Sequence, residues 1–240
     1  MAYTCRMTRE DTAAWLGPTP FVDSDTPAVV AFARAAAGDE TDPLRRAVAL
    51  YYAVRDGVTY TPYCEFRSPD TYRASAVLAK GAGFCVGKAA LLAAAARAVG
   101  IPARLRFADV RNHLCTPKLR ALMGGDLFYY HGYVEVDLEG RWVKATPAFD
   151  RPLCDRFGVL PLEFDGREDS IFQPHDRAGR RHMEYVQDRG FHADVPVADI
   201  TATFAREYPG LMERGTPAPA TEFRDEAGEG TSPASRAAAP

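Results

Sequence analysis

A cysteine stands where a glycine-rich loop, Gly81-Ala82-Gly83-Phe84, leads into a strongly apolar segment. The segment from about 85 to 99 is almost wholly Ala, Leu and Val, which is typical of a buried helix. The free N–H groups and dipole of a helix N-terminus favour a thiolate, so we expect the pKa of Cys85 to lie below its ordinary value of about 8.5. The same N–H groups are suited to stabilising an oxyanion. Cys85 is therefore a candidate nucleophile, and a buried cysteine that packs as a small apolar side chain is the equal alternative.

A thiol nucleophile needs a base, and His131 lies in a predicted strand at 130–138. The alternation of this strand places His131 on one face with Tyr133 and Glu135, opposite the apolar face of Val134. We expect His131 to point away from the main apolar packing and to be held in one orientation by the strand. An ordinary, partly exposed strand histidine is the commoner alternative.

The strand at 130–138 and a second one at 141–147 predict a hairpin around Glu139-Gly140. With a two-residue loop, Glu135 faces Lys144, so opposite charges meet on one face. Val134 then faces Ala145, which places apolar side chains together on the other face. The register of the hairpin is therefore predicted by the sequence.

A base is usually oriented by a third group, and two residues of the hairpin are diagonal neighbours of His131 in this register. Asp150 is the candidate acid that accepts from the imidazole and stabilises its charged form. Thr146 is the other neighbour, and Pro147 is a residue at which the strand pairing can end before it reaches Asp150. A turn or cap carboxylate ahead of Pro152 is the alternative role for Asp150.

The predicted helices come first in the chain and the predicted antiparallel strands come later. This order predicts an α+β fold with helices packed on an antiparallel sheet. Helix starts are marked by Thr26-Pro27 and Asp42-Pro43, where a capping residue precedes a proline. We expect an N-terminal arm at 1–16, a single domain at 17–210 and a disordered tail at 211–240. The tail is rich in Pro, Ala, Gly and Ser, a composition that buries too little apolar surface to offset the entropy of ordering.

Composition excludes several other classes of protein. The 240 residues carry a net charge of -3, which argues against a nucleic-acid partner. No apolar run is long enough to cross a membrane, and no apolar leader precedes the first helix, so we expect a cytoplasmic protein with no membrane partner. The five cysteines are an odd, scattered set, typical of reduced thiols. No metal-ligand spacing is present, and no metal or cofactor is predicted; the oligomeric state is not indicated.

Three blocks of the sequence resemble the transglutaminase-like superfamily. They are GFCVGKAALLAAAARAVGIPAR, HGYVEVDLEGRWV and KATPAFD. The resemblance implies a papain-like fold with a Cys-His-Asp arrangement, in which Cys85 is the nucleophile and His131 the base. Thr146 stands where the family commonly has its aspartate, so we take Asp150 as the replacement third member.

The resemblance and the residues together predict a cysteine enzyme that transfers acyl groups from amides through an acyl-enzyme. The expected substrate is a peptide or protein amide, including a glutamine side chain, and the acceptor is either water or an amine. Two alternatives remain: a catalytically inert binding module that keeps the cleft, and a thioester-dependent acyltransferase with the same triad.

Overall fold

The computed structural model of the protein describes residues 14–213 and 219–229, the last two of them by backbone only. The helices are α1 (Pro27–Ala37), α2 (Pro43–Gly57), α3 (Ala74–Lys80), α4 (Cys85–Ala98), α5 (Pro117–Met123), α6 (Arg151–Phe157), α7 (Val197–Glu207), α8 (Pro209–Glu213) and α9 (Glu222–Glu229). The strands are β1 (Thr59–Tyr60), β2 (Ala82–Gly83), β3 (Ala103–Asn112), β4 (Leu127–Leu138), β5 (Arg141–Ala145) and β6 (Met183–His192). The predicted α+β class is confirmed.

The larger sheet is antiparallel and has the strand order β5-β4-β3-β6. Its hairpin has the predicted register, with Val134 opposite Ala145 and Glu135 opposite Lys144. Glu139 has a φ of 56°, so the two-residue turn uses the left-handed conformation that matches strand twist. The ladder ends at Ala145, ahead of Pro147 as the sequence allowed. The edge strand β6 was not predicted.

The apolar helix α4 lies at the centre of the molecule. Nearly every residue of α4 is buried, because α1, α2 and α3 pack on it from one side and β4 from the other. The short strands β1 and β2 pair in parallel just before α4 begins and fix the loop that enters it. The N-terminus of the most buried helix is therefore held against the strand that carries His131.

The tail that was expected to be disordered, 211–240, contains helical segments in the part of it that the structure describes. Helix α9 lies in the tail and packs on α6. Phe223, its one aromatic residue, is buried against Tyr60, Tyr63 and Phe157. Burial of this one aromatic side chain stabilises α9, although the tail as a whole is poor in large apolar residues. The other predicted tail residues, 214–218 and 230–240, lie outside the described residues.

The N-terminal arm is described only from residue 14, and its Trp15 is not separate from the domain. The Trp15 carbonyl accepts the Ala103 N–H at 2.9 Å, and its ring packs edge-on against Trp142 and Phe191. The boundaries of a single domain at 17–210 stay predictions. Among the described helices, none is long and apolar enough to cross a membrane.

Candidate active site

Cys85 is the first residue of α4, as predicted, and follows the N-cap residue Phe84. Phe84 makes no side-chain cap, so the first N–H groups of α4 are not used by a capping side chain. The backbone at Thr71, ahead of α3, packs closely on this end of the helix. A Cβ on Gly87 would lie 2.9 Å from the Thr71 carbonyl oxygen. The start of α4 is thus held in place by backbone packing.

Gly132 brings His131 next to this helix end. A Cβ at Gly132 would lie 2.9 Å from the Val86 Cα, a distance that real Cβ atoms do not show. Only a glycine therefore lets β4 approach the first turn of α4 so closely. The glycine that follows His131 in the sequence was a signal of this contact that sequence reasoning missed.

Cys85 and His131 line the same small cavity, which has a volume of about 30 Å³. That volume holds about one water molecule. The rest of the lining is apolar or aromatic and includes Phe84, Tyr129 and Tyr208. Within the described part of the chain, no carboxylate, lysine or arginine lines the cavity. The sequence-predicted nucleophile and base are therefore brought together in a small, apolar site.

The expectation that the Cys85 thiol has a lowered pKa is wrong for this buried site. Burial raises the pKa of Cys85 to about 11. The backbone N–H groups of Gly132, Val86 and Cys85 itself favour the thiolate, but desolvation outweighs them. Cys85 is thus a neutral thiol near pH 7 in this conformation.

His131 is packed in an aromatic layer formed with Tyr133, Phe172 and Tyr185. This corrects the expectation that His131 points away from apolar packing. Its ring stacks on Tyr133 and contacts Phe172 and Tyr185 at centroid distances of 5.1 and 6.3 Å. Phe172 comes from the chain between β5 and β6, and Tyr185 lies in the edge strand β6. Burial lowers the pKa of His131 to about 3, so the imidazole is neutral. Its Nε2 is buried and has no hydrogen-bond partner among the described residues.

Asp150 is used by the fold, in the cap role that was its alternative. Its Oδ1 accepts the Leu153 N–H at 3.0 Å as the N-cap of α6, and also Arg224 Nη2 at 3.1 Å. Its Oδ2 accepts the Tyr60 N–H at 2.8 Å. Among the described residues, no hydrogen bond joins Asp150 to His131. A hydrogen-bonded Cys85-His131-Asp150 chain is therefore not formed, and the Asp150 carboxylate accepts from α6, β1 and α9 instead.

Thr146, the other residue that sequence reasoning placed near His131, is also buried. Its Oγ1 has no hydrogen-bond partner within the described chain. The Thr146 hydroxyl lies near that of Tyr185 and acts to lower its pKa, against the larger raising effect of burial. Tyr185 thus contacts the His131 ring and lies close to Thr146, and no sequence motif indicated its role.

Comparison with known proteins identifies the core that holds this site. Residues 30–147 match the family model of the transglutaminase-like superfamily. This part of the chain belongs to the superfamily. The matched core contains both Cys85 and His131 and ends before Asp150. No curated protein matches the chain.

Two solved structures are similar to the chain. One is named "putative cysteine protease from Cytophaga hutchinsonii"; it is 18% identical with a TM-score of 0.46, and the match covers 80% of this chain and 57% of that one. The other is named "putative protease from Parabacteroides distasonis"; it is 18% identical with a TM-score of 0.37, and the match covers 49% of this chain and 22% of that one. The chain thus spans less than two thirds of either structure.

Proposed function

We propose that the protein transfers acyl groups from amide substrates, with Cys85 as nucleophile and His131 as base. The observation that carries the proposal is that the two side chains line one cavity at the N-terminus of a buried helix. The orphaned Nε2 of His131 adds to it, because a buried polar atom without a partner is uncommon in native proteins. A peptide or protein amide, including a glutamine side chain, is the proposed substrate.

The neutral state of both groups selects one form of the mechanism. A thiolate–imidazolium pair is not preformed, since burial favours the neutral thiol and the neutral imidazole. A neutral imidazole is the form that acts as a general base. His131 Nε2 therefore takes the Cys85 proton as the sulfur attacks the carbonyl carbon, and a C–S bond forms. The N–H groups at the start of α4 stabilise the oxyanion.

The remaining steps restore Cys85 and His131 to their starting protonation states. The tetrahedral intermediate collapses, the C–N bond breaks, and the leaving amine takes the proton from His131. Water or an amine then attacks the thioester and gives a proton to His131. The C–S bond breaks, and His131 returns that proton to the Cys85 sulfur. Hydrolysis or transamidation results, according to the acceptor.

Asp150 has a supporting role in this proposal. By accepting the Tyr60 N–H and capping α6, it ties β1 to the chain after β5. The ring of Tyr60 is part of the lining of the Cys85 cavity. Asp150 therefore supports the wall of the site, and His131 is held by ring contacts and by its own strand.

Acylation by an activated ester tests the proposal without knowledge of the natural substrate. The protein is mixed with p-nitrophenyl acetate, and mass spectrometry maps the acetyl group. We expect a thioester on Cys85 that is absent from Cys85→Ala and strongly reduced in His131→Phe, which keeps a ring in the aromatic layer. Equal acetylation of Cys64, or acetylation of Cys85 that is independent of His131, would instead favour the inert binding module.

A further inference from the structure

Strand β4 contains a bulge directly before His131. Ala108 of β3 pairs with His131, but Val110 pairs with Phe128, so Tyr129 and Tyr130 together stand opposite Asp109. Tyr130 has a φ of 55°, a left-handed conformation that side chains other than glycine rarely adopt. Bulges of this kind are common beside active sites, where they change the direction of a side chain.

A buried ion pair holds the bulge. Asp109 is only 2% exposed, and its Oδ1 accepts the Tyr130 N–H at 3.1 Å. Arg189 of the neighbouring strand β6 binds the same carboxylate with two nitrogens, at 2.5 and 2.8 Å. The Arg189 guanidinium also lies 4.2 Å from the centroid of the Tyr130 ring. The left-handed residue is therefore fixed at its backbone by Asp109 and at its ring by Arg189.

The bulge decides which side chains reach the Cys85 cavity. In an unbroken strand, residues 128 and 131 point to opposite faces because side chains alternate. Here the side chains of Phe128 and His131 both line the cavity. His131 thus lies between two backbone constraints, the bulge at Tyr130 before it and the close packing of Gly132 on Val86 after it.

We propose that Asp109 is a positioning residue, which directs His131 towards Cys85 by holding the left-handed bulge at Tyr130. Asp109 itself does not line the cavity that Cys85 and His131 share. The assignment rests on the proposed role of His131, and Asp109 acts only through the backbone at Tyr130. Arg189 is its partner, since the ion pair keeps the Asp109 carboxylate directed at the bulge.

A matched pair of substitutions at Tyr130 separates the backbone conformation from the ring. Tyr130→Gly and Tyr130→Val both remove the ring beside Arg189, but glycine adopts a positive φ freely and β-branched valine resists it. The measurements are the pH profile of Cys85 acylation by p-nitrophenyl acetate and the NMR resonances of the His131 ring. We expect Tyr130→Val to slow acylation by about tenfold, to shift the midpoint of the profile and to move the ring resonances. Tyr130→Gly is expected to stay within about twofold of the unsubstituted protein.

A rescue experiment tests Asp109 itself. Asp109→Asn keeps an oxygen for the Tyr130 N–H but loses the charge that binds Arg189, and Asp109→Ala loses both. We expect the acylation rate to fall in that order, and Tyr130→Gly to restore most of the rate in the Asp109→Asn protein. Failure of this rescue, or equal rates, pH midpoints and ring resonances in Tyr130→Gly and Tyr130→Val, would overturn the proposal.

The ring resonances also keep the two proposals distinguishable. If Cys85 of the unsubstituted protein is not acylated, the proposed function fails. A His131 ring shift in Tyr130→Val that is absent from Tyr130→Gly would still support the positioning of His131 by the bulge. Resonances that are unchanged in both variants would reject it.

Discussion

His131 and Asp150 are both buried polar residues, yet their surroundings differ. Each oxygen of the Asp150 carboxylate accepts at least one hydrogen bond, and the donors come from β1, α6 and α9. The Nε2 of His131 has no partner in the described chain, and His131 lines a cavity shared with Cys85. A satisfied carboxylate stabilises the fold, whereas an unsatisfied imidazole costs stability and is free to take a proton. The number of hydrogen-bond partners thus separates two residues that sequence spacing had placed in one triad.

The largest expected effect is on the acylation rate, and it comes from substitution of His131, the residue whose Nε2 has no hydrogen-bond partner in the described chain. His131→Phe removes the base and keeps a ring of similar shape in the aromatic layer. We expect the rate of Cys85 acylation by p-nitrophenyl acetate at pH 7 to fall by about 10²–10⁴-fold, the usual contribution of a general base. Near-ultraviolet circular dichroism checks that the aromatic packing is kept. An unchanged rate in a folded variant would remove His131 from the proposed chemistry.

Asp150→Ala should affect stability strongly. The substitution removes the N-cap of α6 and leaves the buried Tyr60 N–H without an acceptor. We expect the free energy of unfolding, measured with urea, to fall by about 2–4 kcal/mol. Asp150→Asn is the matched control, because its amide oxygen still caps α6, and it should lose less. If Asp150→Asn is fully stable but slows acylation as much as His131→Phe does, Asp150 belongs to the triad after all.

The burial of neutral His131 predicts a pH dependence of stability. Its pKa is about 3 in the folded protein and about 6.5 in an unfolded chain. Between these values the unfolded chain binds a proton that the native state does not, so stability falls as the pH drops from about 6.5 towards 3. The slope approaches a limit of about 1.4 kcal/mol per pH unit.

His131→Phe should flatten this dependence, as measured by urea unfolding at several pH values from 7 to 4. The pKa of His182 is also lowered by burial, to about 4, and its contribution remains in both proteins. An equal loss of stability on acidification in the two proteins would mean that His131 is not buried in its neutral form.

The smallest effect concerns the cover of the cavity. The Tyr208 hydroxyl accepts the Tyr129 N–H at 2.6 Å and donates to the Leu127 carbonyl at 2.7 Å, so it fastens the end of α7 to β4. Tyr208→Phe removes one oxygen and should lower the free energy of unfolding by about 1–2 kcal/mol. Because Tyr208 lines the cavity, we expect Cys85 to react faster with iodoacetamide in this variant. A slower reaction would show that Tyr208 does not limit access.

The features that the sequence predicted are those set by local rules. The prolines that open α1 and α2 and the hairpin register that places Glu135 opposite Lys144 depend on near neighbours in the chain. The charge of Glu135 is instead paired with Arg104 and Arg106 of β3, which the sequence did not predict. The sequence showed that Cys85 begins a helix, because that depends on neighbouring residues. It did not show the raised pKa of Cys85, because the burial of the thiol depends on residues far away in the sequence, such as Tyr208. Helix α9 was missed for the same reason, since one buried aromatic residue, Phe223, attaches it to partners far away in sequence.

The most direct test of the proposed chemistry is the pH profile of alkylation by iodoacetamide, with each modified cysteine mapped by mass spectrometry. Cys64 is an internal control, because burial raises its pKa to about 12 and no histidine shares its surroundings among the described cavity residues. We expect Cys85 to react faster than Cys64 at and below pH 7 by more than the roughly tenfold that their pKa values of about 11 and about 12 give, and to lose this excess in His131→Phe. A Cys85 rate that rises only towards pH 11, equally in both proteins, would contradict a role for Cys85 and His131 as nucleophile and base.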